Sequence, residues 1–207
     1  MINSNFLSID EEKKERILNA AMKEFAQKGF DNASTNEMVK EANISKGLLF
    51  HYFGSKKELF MFLFNYSVEL FSNEFYGKID MNERDIFELT KQSKIIKLGL
   101  INKYPGIFEF MQSAVTEASA KVKDEMDSMK NELVSAGFNK VFENIDTSKF
   151  RDSIDASKVL KVIEWTFEGM LEQELRKARF LNKKVEVEKL YDKADEYIEF
   201  FKICFYK

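Results

Sequence analysis

Apolar residues recur at helical spacing near the start of the chain. The first run carries five of them at intervals of three or four positions: Ile17, Leu18, Ala21, Met22 and Phe25. Side chains at this spacing share one face of an α-helix. Gly29 follows the run, and glycine readily adopts the left-handed conformation in which helices often end. The pattern therefore predicts a helix over about residues 10–28.

Three serines mark predicted helix starts, because each is followed three positions later by a glutamate. The pairs are Ser8 with Glu11, Ser34 with Glu37, and Ser55 with Glu58. In a capping box the two side chains satisfy each other's unpaired backbone N–H groups at the first turn of a helix. The second and third pairs predict a short helix over residues 35–42 and a long helix over residues 56–76.

A tight turn is predicted between residue 42 and the next helix. Asn43 tolerates the left-handed backbone conformation of such a turn, Ile44 follows as a buried residue, and Ser45 can cap a further helix. Leu49 and Phe53 are the apolar residues of that helix. Two short helices joined by a tight turn, with a longer helix before them, form a helix-turn-helix, here over about residues 34–53.

The rest of the chain shows no strand alternation and no internal repeat. Pro105 is the only proline and the chain has eight glycines, a composition that favours helices throughout. Further helices are expected near residues 82–102, 106–118, 119–143, 156–181 and 185–206. The predicted fold is all-α, with about nine helices in total.

Charge and composition narrow the range of functions. The net charge is −3, but residues 40–57 contain four lysines and a single acidic residue, Glu41. With one cysteine, Cys204, no internal disulfide can form, and residues 1–16 lack the layout of a secretory signal. The apolar stretch 59–71 is shorter than the roughly 20 residues that span a bilayer. We expect a cytoplasmic protein without a membrane segment.

The sequence contains few residues that could act in catalysis or bind a metal. His51 is the only histidine, so a catalytic triad would have to use a residue within the predicted helix-turn-helix. One histidine and one cysteine do not make a zinc site, and the Glu-x-x-His pairs of a di-iron bundle are missing. We therefore expect no enzymatic activity, no metal and no cofactor.

Residues 10–60 resemble the TetR family of bacterial regulators. The matching segments are Ile17–Ala21 through Phe25, Gly29–Phe30, Ser34–Thr35, Met38–Val39, Ile44–Gly47, Phe50–Phe53 and Ser55–Phe60. Beyond this region the resemblance is to the general layout of the family only. It implies a helix-turn-helix domain over residues 1–55, followed by a larger helical effector-binding and dimerisation domain over residues 56–207.

The resemblance also implies which residues face DNA. Residues 46–53 match the recognition helix that enters the major groove, Thr35 matches a phosphate-binding position, and Lys56 matches a lysine that pairs with the DNA backbone. The full set is Thr35, Ser45, Lys46, Gly47, Leu48, Phe50, His51, Tyr52 and Lys56. By contrast, the family's small core corresponds to Phe25, Ile44, Leu49 and Phe53.

Two residues depart from the family pattern. Asn43 stands where the family most often has glycine in the turn, which is physically acceptable. Leu48 stands where a small polar residue is common. Because leucine cannot form a hydrogen bond with a base, Leu48 would contact a thymine methyl group or merely exclude water.

The last two predicted helices carry wide apolar surfaces. Val162, Trp165, Phe200 and Ile203 extend each apolar stripe beyond one face. A wide core within one chain would explain them, but we favour a four-helix dimer interface built from both protomers. The candidate interface residues are Ile163, Met170, Leu190, Tyr197 and Phe201.

An effector pocket is expected from the family's habit of binding a ligand among the helices that precede the dimer pair. The candidate residues are Tyr104, Phe108, Met111, Trp165, Phe167 and Met170. The alternative to ligand binding is that these residues pack in the hydrophobic core. Their chemistry indicates a partly hydrophobic small molecule.

The expected function is ligand-responsive transcription regulation. A homodimer would bind a near-palindromic operator in double-stranded DNA, and a small molecule would release it, most simply as a repressor. The long helix that starts at Lys56 would link the two domains mechanically. The alternative is a helical protein-interaction module with weak or lost DNA binding.

Overall fold

The computed structural model describes residues 6, 8–117, 119–129, 141–181, 183 and 186–207. Eight α-helices have both ends in this part of the chain: α1 Glu11–Asn32, α2 Thr35–Glu41, α3 Lys46–Phe53, α4 Lys56–Tyr76, α5 Ile86–Lys103, α6 Pro105–Val115, α7 Ala156–Phe180 and α8 Val187–Phe205. A short 3-10 helix spans Thr147–Lys149, and residues 123–129 are also helical. Within these described residues the one β-type pairing is an isolated bridge between Phe150 and Tyr206. The all-α prediction is confirmed.

The helix boundaries follow the local signals closely. The long helix α4 has the predicted bounds, and α6 begins with Pro105, a residue suited to the first turn because its missing N–H would be unpaired there. Gly29 has a positive φ of 67°, but it kinks α1 instead of ending it, and the helix resumes as far as Asn32. The predicted stop at residue 28 is therefore four residues too early. Much of the helix predicted at 119–143 lies outside the described residues.

Among the three predicted helix caps, one is corrected, and two agree with the prediction. The side chain of Asp10, not that of Ser8, caps α1 by accepting a hydrogen bond from the Lys13 N–H at 3.1 Å. Ser34 and Ser55 cap α2 and α4 as predicted. In a full capping box the Glu37 side chain would accept the backbone N–H of Ser34. Here that N–H donates to Glu24 at 2.9 Å instead.

The chain divides into two compact units. Unit 1 comprises Met1–Gly77 with Leu100–Gly137 and contains the helix-turn-helix. In this unit α6 packs along α1, and α4 packs against α1, α3 and α6. The shared core is strongly aromatic and includes Phe25, Phe60 and Phe110, all buried. The three-helix head, which we define as α1 to α3, is thus built on α4 and α6.

Unit 2 comprises Lys78–Gly99 with Phe138–Lys207 and contains the helix pair α7 and α8. Its core is a smaller cluster in which Val159 and Ile163 of α7 join Ile198 and Phe201 of α8. These units are defined by contacts within the chain, whereas the predicted domains, residues 1–55 and 56–207, are defined by function. The functional division stays a prediction. No helix in the described part of the chain has the length and apolar character needed to cross a membrane.

Candidate nucleic-acid interface

The turn between α2 and α3 has the predicted geometry. Asn43 adopts a φ of 54°, and it is the only residue other than glycine with a positive φ among those described. The Ile44 N–H donates to the Val39 carbonyl at 3.0 Å, which closes the turn behind Asn43. The Ser45 hydroxyl then accepts from the Leu48 N–H at 3.2 Å and starts α3. These local hydrogen bonds close the turn between the two short helices, as the sequence predicted.

One face of α3 is open to solvent. The side chains of Ser45, Lys46 and His51 are exposed, as is Gly47. Leu48 and Phe50 are half-buried at the margin of this face. We call the set of predicted DNA-facing residues at positions 45–48, 50 and 51 the reading face. It gathers on one side of a short helix the residues that the sequence predicted to meet base edges.

Tyr52 lies differently from the other predicted DNA-facing residues, because its ring is buried in the head. It stands beside Leu49 and Phe53, which are also buried, as predicted for core residues. Ile44 and Phe25 likewise belong to or pack against this core. A role for Tyr52 in DNA contact stays a prediction, and burial restricts what its ring can touch.

Phe6 packs against the head, and the sequence did not predict this contact. It is fully buried, and its ring lies 4.6 Å from that of Phe53, 5.4 Å from Tyr52 and 5.6 Å from Phe62, measured between centroids. Aromatic rings at these separations attract each other beyond the area they bury. Phe6 therefore joins the last turn of α3 to α4. No periodic pattern surrounds it, so the sequence offers no signal for this packing.

A buried carboxylate fixes α2 against α1. Glu24 Oε1 accepts the backbone N–H of Ser34 at 2.9 Å and the Lys28 ammonium at 2.8 Å. Burial opposes ionisation of this group, but the two hydrogen bonds outweigh burial and hold its pKa below the usual value. A charged Glu24 thus anchors the residue that caps α2, just before the predicted phosphate-binding residue Thr35, which is half-buried.

Lys56 has structural partners within the head. Its ammonium donates to the carbonyl oxygens of Ala33 at 2.8 Å and Asp31 at 3.2 Å, and it lies 5.0 Å from the centre of the Phe30 ring. Burial lowers the pKa of this amine, with a smaller effect from the neighbouring charge of Lys121. Lys56 therefore binds the carbonyl end of α1. Its predicted contact with a DNA phosphate would use the remaining donor of the ammonium.

The segment from the turn to the start of α4 is electrostatically suited to a polyanion. Residues 43–57 contain Lys46, Lys56 and Lys57 and no acidic residue. Lys57 forms an ion pair with Glu125, while the Lys46 side chain is exposed and its ammonium lies 6.0 Å from the centre of the Phe50 ring. The first turn of α3 thus carries an exposed cation, and its contact with DNA stays a prediction.

The predicted ligand residues fall in different units. Tyr104, Phe108 and Met111 belong to unit 1, and Trp165, Phe167 and Met170 belong to unit 2. The Tyr104 hydroxyl donates to Glu74 at 2.9 Å, and its ring neighbours that of Phe71. Trp165 is 65% exposed. The six residues therefore do not form one pocket within a single unit, and a ligand contact of any of them stays a prediction.

The predicted dimer residues separate into buried and exposed groups. Ile163, Leu190 and Phe201 are buried in unit 2 itself, Met170 is half-buried, and Tyr197 is 44% exposed. The neighbouring residues that had suggested a second apolar face are exposed. They are Val162, Trp165, Phe200 and Ile203, and with Tyr197 we call them the apolar face of α7 and α8.

Comparison with known proteins relates the head to one family. The family described as bacterial regulatory proteins, tetR family, matches residues 17–61. The chain is 46% identical over 55 residues to the HTH-type transcriptional regulator YuxN of Bacillus subtilis, a match covering 27% of this chain and 19% of YuxN. It is 27% identical over 70 residues to HbdR of Aromatoleum, covering 34% and 31%. The matched segment thus spans less than a third of these relatives.

Solved structures extend the likeness in fold to the rest of the chain. A TetR family regulator from Chloroflexus aurantiacus covers 100% of this chain and 99% of its own, with a TM-score of 0.62 and 17% identity. A regulator from Clostridium perfringens, whose name links it to fatty acid metabolism, covers 88% and 96%, with a TM-score of 0.66 and 21% identity. At these identities the likeness concerns the fold.

Proposed function

We propose that this chain, whose residues 17–61 match the tetR family of bacterial regulatory proteins, is a transcriptional repressor that binds a near-palindromic operator as a homodimer and leaves it when a small molecule binds. The observation that carries the DNA-binding part is the reading face. It presents exposed polar and cationic groups on α3, with no acidic residue between positions 43 and 57.

The reading face would enter the major groove. A recognition helix places its N-terminal residues against base edges, and here Ser45, Lys46 and Gly47 occupy that end. Lysine can donate to the acceptors of guanine, and His51 lies one turn further along the same exposed side. Leu48 would contact the methyl group of a thymine. Sequence preference would therefore arise from positions 45 to 51.

Phosphate contacts would flank the reading face. Thr35 follows the Ser34 cap at the start of α2, and the Lys56 ammonium lies against the end of α1. Such contacts fix the orientation of the head on the duplex and carry no sequence information. Tyr52 and Phe50 would add contacts at the edge of this footprint.

The apolar face of α7 and α8 would form the dimer interface. Trp165, Phe200 and Ile203 expose 65%, 56% and 73% of their surface. Large apolar side chains grouped in this way mark a protein–protein interface when they are contiguous. A symmetric pairing of two such helix pairs would build a four-helix bundle and set the spacing of the two heads to match successive major grooves.

The effector would be a small, partly hydrophobic molecule. Binding can release the repressor only if the ligand has a higher affinity for a state whose heads no longer fit the operator. Fatty acids are suitable first ligands to test, because the Clostridium perfringens structure, which resembles the chain along most of its length, is named for fatty acid metabolism.

The test of DNA binding begins with duplexes selected from a random library by the purified full chain. Fluorescence anisotropy should give nanomolar affinity for a selected duplex that contains an inverted repeat. Lys46→Glu should weaken this affinity about 100-fold, which corresponds to about 1.4 kcal/mol at each of two heads. Lys177→Glu, an exposed lysine of α7 with the same charge change, serves as the matched control and should leave the affinity within about twofold.

Failure to select any duplex at low salt would overturn the DNA-binding part and favour the alternative of a protein-interaction module. Equal effects of the two charge reversals would also count against it, because binding would then depend on total charge and not on the reading face. Release by fatty acids is tested by adding them to the bound complex.

A further inference from the structure

The end of α1 is held by a residue far along the chain. Glu117 lies just after α6, and its Oε2 accepts the backbone N–H of Phe30 at 2.7 Å. Its Oε1 accepts the N–H of Ser119 at 2.8 Å, so both oxygens are engaged. A side chain at Gly29 would place its Cβ 3.2 Å from the same Oε2. Glycine at position 29 thus permits both the positive φ and the close approach of this carboxylate.

Ser119 and Lys121, which are close to Glu117 in the sequence, bind Asp31, the residue that follows Phe30 in α1. The Asp31 carboxylate accepts a hydrogen bond from the Lys121 ammonium at 2.8 Å. This bond and a second one from the Ser119 hydroxyl lower the pKa of Asp31 below its usual value. We call Glu117, Ser119 and Lys121 the clasp. All of its contacts lie within unit 1, and they fall on residues 30 and 31.

The clasped residues lead directly into the proposed DNA contacts. The carbonyl oxygens of Asp31 and Ala33 hold the Lys56 ammonium, and the chain then passes to Ser34, the cap of α2. A shift of residues 30–33 would therefore move both the start of α2 and the ammonium of Lys56. Neither group belongs to the reading face of α3.

We propose that Glu117 is a positioning residue of the DNA-binding head, which holds the junction of α1 and α2 in the geometry that contacts the DNA backbone. The proposal rests on the proposed function. It also adds the loop after α6 to the contacts that α4 and α6 make with the head. Glu117 itself need not touch DNA.

The sign of the change in DNA affinity on replacing Glu117 distinguishes a positioning role from an effect of net charge alone. Removing a carboxylate from a protein that binds a polyanion makes the net charge more positive, and electrostatics alone then predicts tighter binding. A positioning role predicts weaker binding, because the phosphate contacts lose their geometry. The loss should be equal on the selected duplex and on random DNA, since backbone contacts carry no sequence information.

The experiment compares Glu117→Ala with Glu125→Ala in the full chain. Glu125 is the matched control, because it is an acidic residue of the same unit whose partner is the exposed side chain of Lys57. Glu117→Ala should weaken binding to the selected duplex and to a random duplex about tenfold, which corresponds to about 0.7 kcal/mol at each of two heads. Glu125→Ala should leave binding unchanged or tighter. Glu117→Gln keeps only one acceptor oxygen for the two N–H groups of Phe30 and Ser119, so its affinity should lie between those of Glu117→Ala and the wild type.

A local measurement that needs no DNA completes the test. Hydrogen exchange followed by NMR should show faster exchange of the Phe30 amide in Glu117→Ala than in the wild-type chain, with amides of unit 2 unaffected. Should Glu117→Ala fail to fold, Glu117→Asp keeps the charge, shortens the side chain and should weaken binding in the same uniform way.

Binding of folded Glu117→Ala as tight as that of the wild type, or a Phe30 amide that exchanges at the wild-type rate, would overturn the proposal. A wild-type chain that binds no duplex would instead overturn the proposed function. The exchange measurement would then still decide whether Glu117 holds the end of α1.

Discussion

The two units differ in where they keep their large apolar side chains. Eleven large hydrophobic residues are exposed in the described part of the chain, and only Val115 of these lies in unit 1. Unit 1 closes its aromatic core around Phe6, Phe25 and Phe60 and presents polar groups on α3. Unit 2 buries a smaller cluster and leaves the apolar face of α7 and α8 uncovered.

The proposed DNA-binding surface of unit 1 and the proposed dimer surface of unit 2 would constrain the sequence in different ways. A surface that fits a DNA duplex requires particular side chains at particular positions, and the tetR family model matches residues 17–61, which include α2 and α3. A surface that pairs with a second copy of itself requires mainly apolar area and complementary shape, which many sequences can supply. Over 100% and 88% of the chain, the two structures described above are accordingly similar in fold at only 17% and 21% identity.

The largest expected effect is at the apolar face of unit 2. Trp165→Glu should convert the proposed dimer into a monomer, because an unpaired charge cannot be buried at its centre. Two separate heads should then bind a selected duplex about 10²- to 10⁴-fold more weakly, since the second head no longer binds intramolecularly. Light scattering and anisotropy measure both quantities. Ile95→Glu is the control with the same exposure, 66% against 65%, and it should remain dimeric.

The next effect concerns the core of unit 1. Phe6→Ala removes a fully buried ring with three aromatic neighbours, so the free energy of unfolding should fall by about 3–5 kcal/mol. Denaturant unfolding followed by circular dichroism measures it. Phe180→Ala is the matched control because Phe180 is 89% exposed, and it should change the stability by less than about 0.5 kcal/mol. Equal effects would show that Phe6 does not hold α3 to α4.

The core of unit 2 should respond to pH through Asp85. Burial opposes ionisation of its carboxyl, but hydrogen bonds from Lys149, the Tyr206 hydroxyl and two backbone N–H groups lower its pKa below 3.8. The stabilisation is then present above about pH 4 and disappears as the pH falls through the pKa of the folded state. Asp85→Asn should cost about 1.5–3 kcal/mol at pH 7. The stabilities of the two proteins should converge as the pH falls through the folded-state pKa of Asp85, and a constant gap would contradict this assignment.

The smallest effects, counted per half-site, distinguish Lys56 from Leu48 by the kind of DNA contact that each residue makes. Lys56→Ala should weaken binding about equally on selected and random duplexes and make the salt slope shallower by about 2 for a dimer that loses two phosphate contacts. Leu48→Ala should leave the slope nearly unchanged and cost about 1–3 kcal/mol per half-site on the selected duplex alone. Salt titrations of both variants test the pair. The assignment is wrong if Lys56→Ala changes sequence preference and Leu48→Ala changes only the slope.

The sequence by itself determined the helices and the turn of the head. The bounds of α4 and the turn at Asn43 followed from residues within four positions of each other, because capping, helical periodicity and turn chemistry act over that range. Gly29 was recognised as a residue with positive φ for the same reason. That Gly29 kinks α1 instead of ending it did not follow from these local residues.

Tertiary structure alone decided which side chains meet. Glu117 and Phe30 are 87 positions apart, and no periodic pattern relates them. Phe6, Glu24 and the carbonyl partners of Lys56 were likewise not predictable, since each contact depends on how helices pack after they have formed. In α7 and α8 the sequence showed two apolar faces per helix. Only packing assigned Ile163 and Phe201 to the core of unit 2 and left Trp165 exposed, because a helical pattern gives the angles between side chains but not the direction of the neighbouring helix.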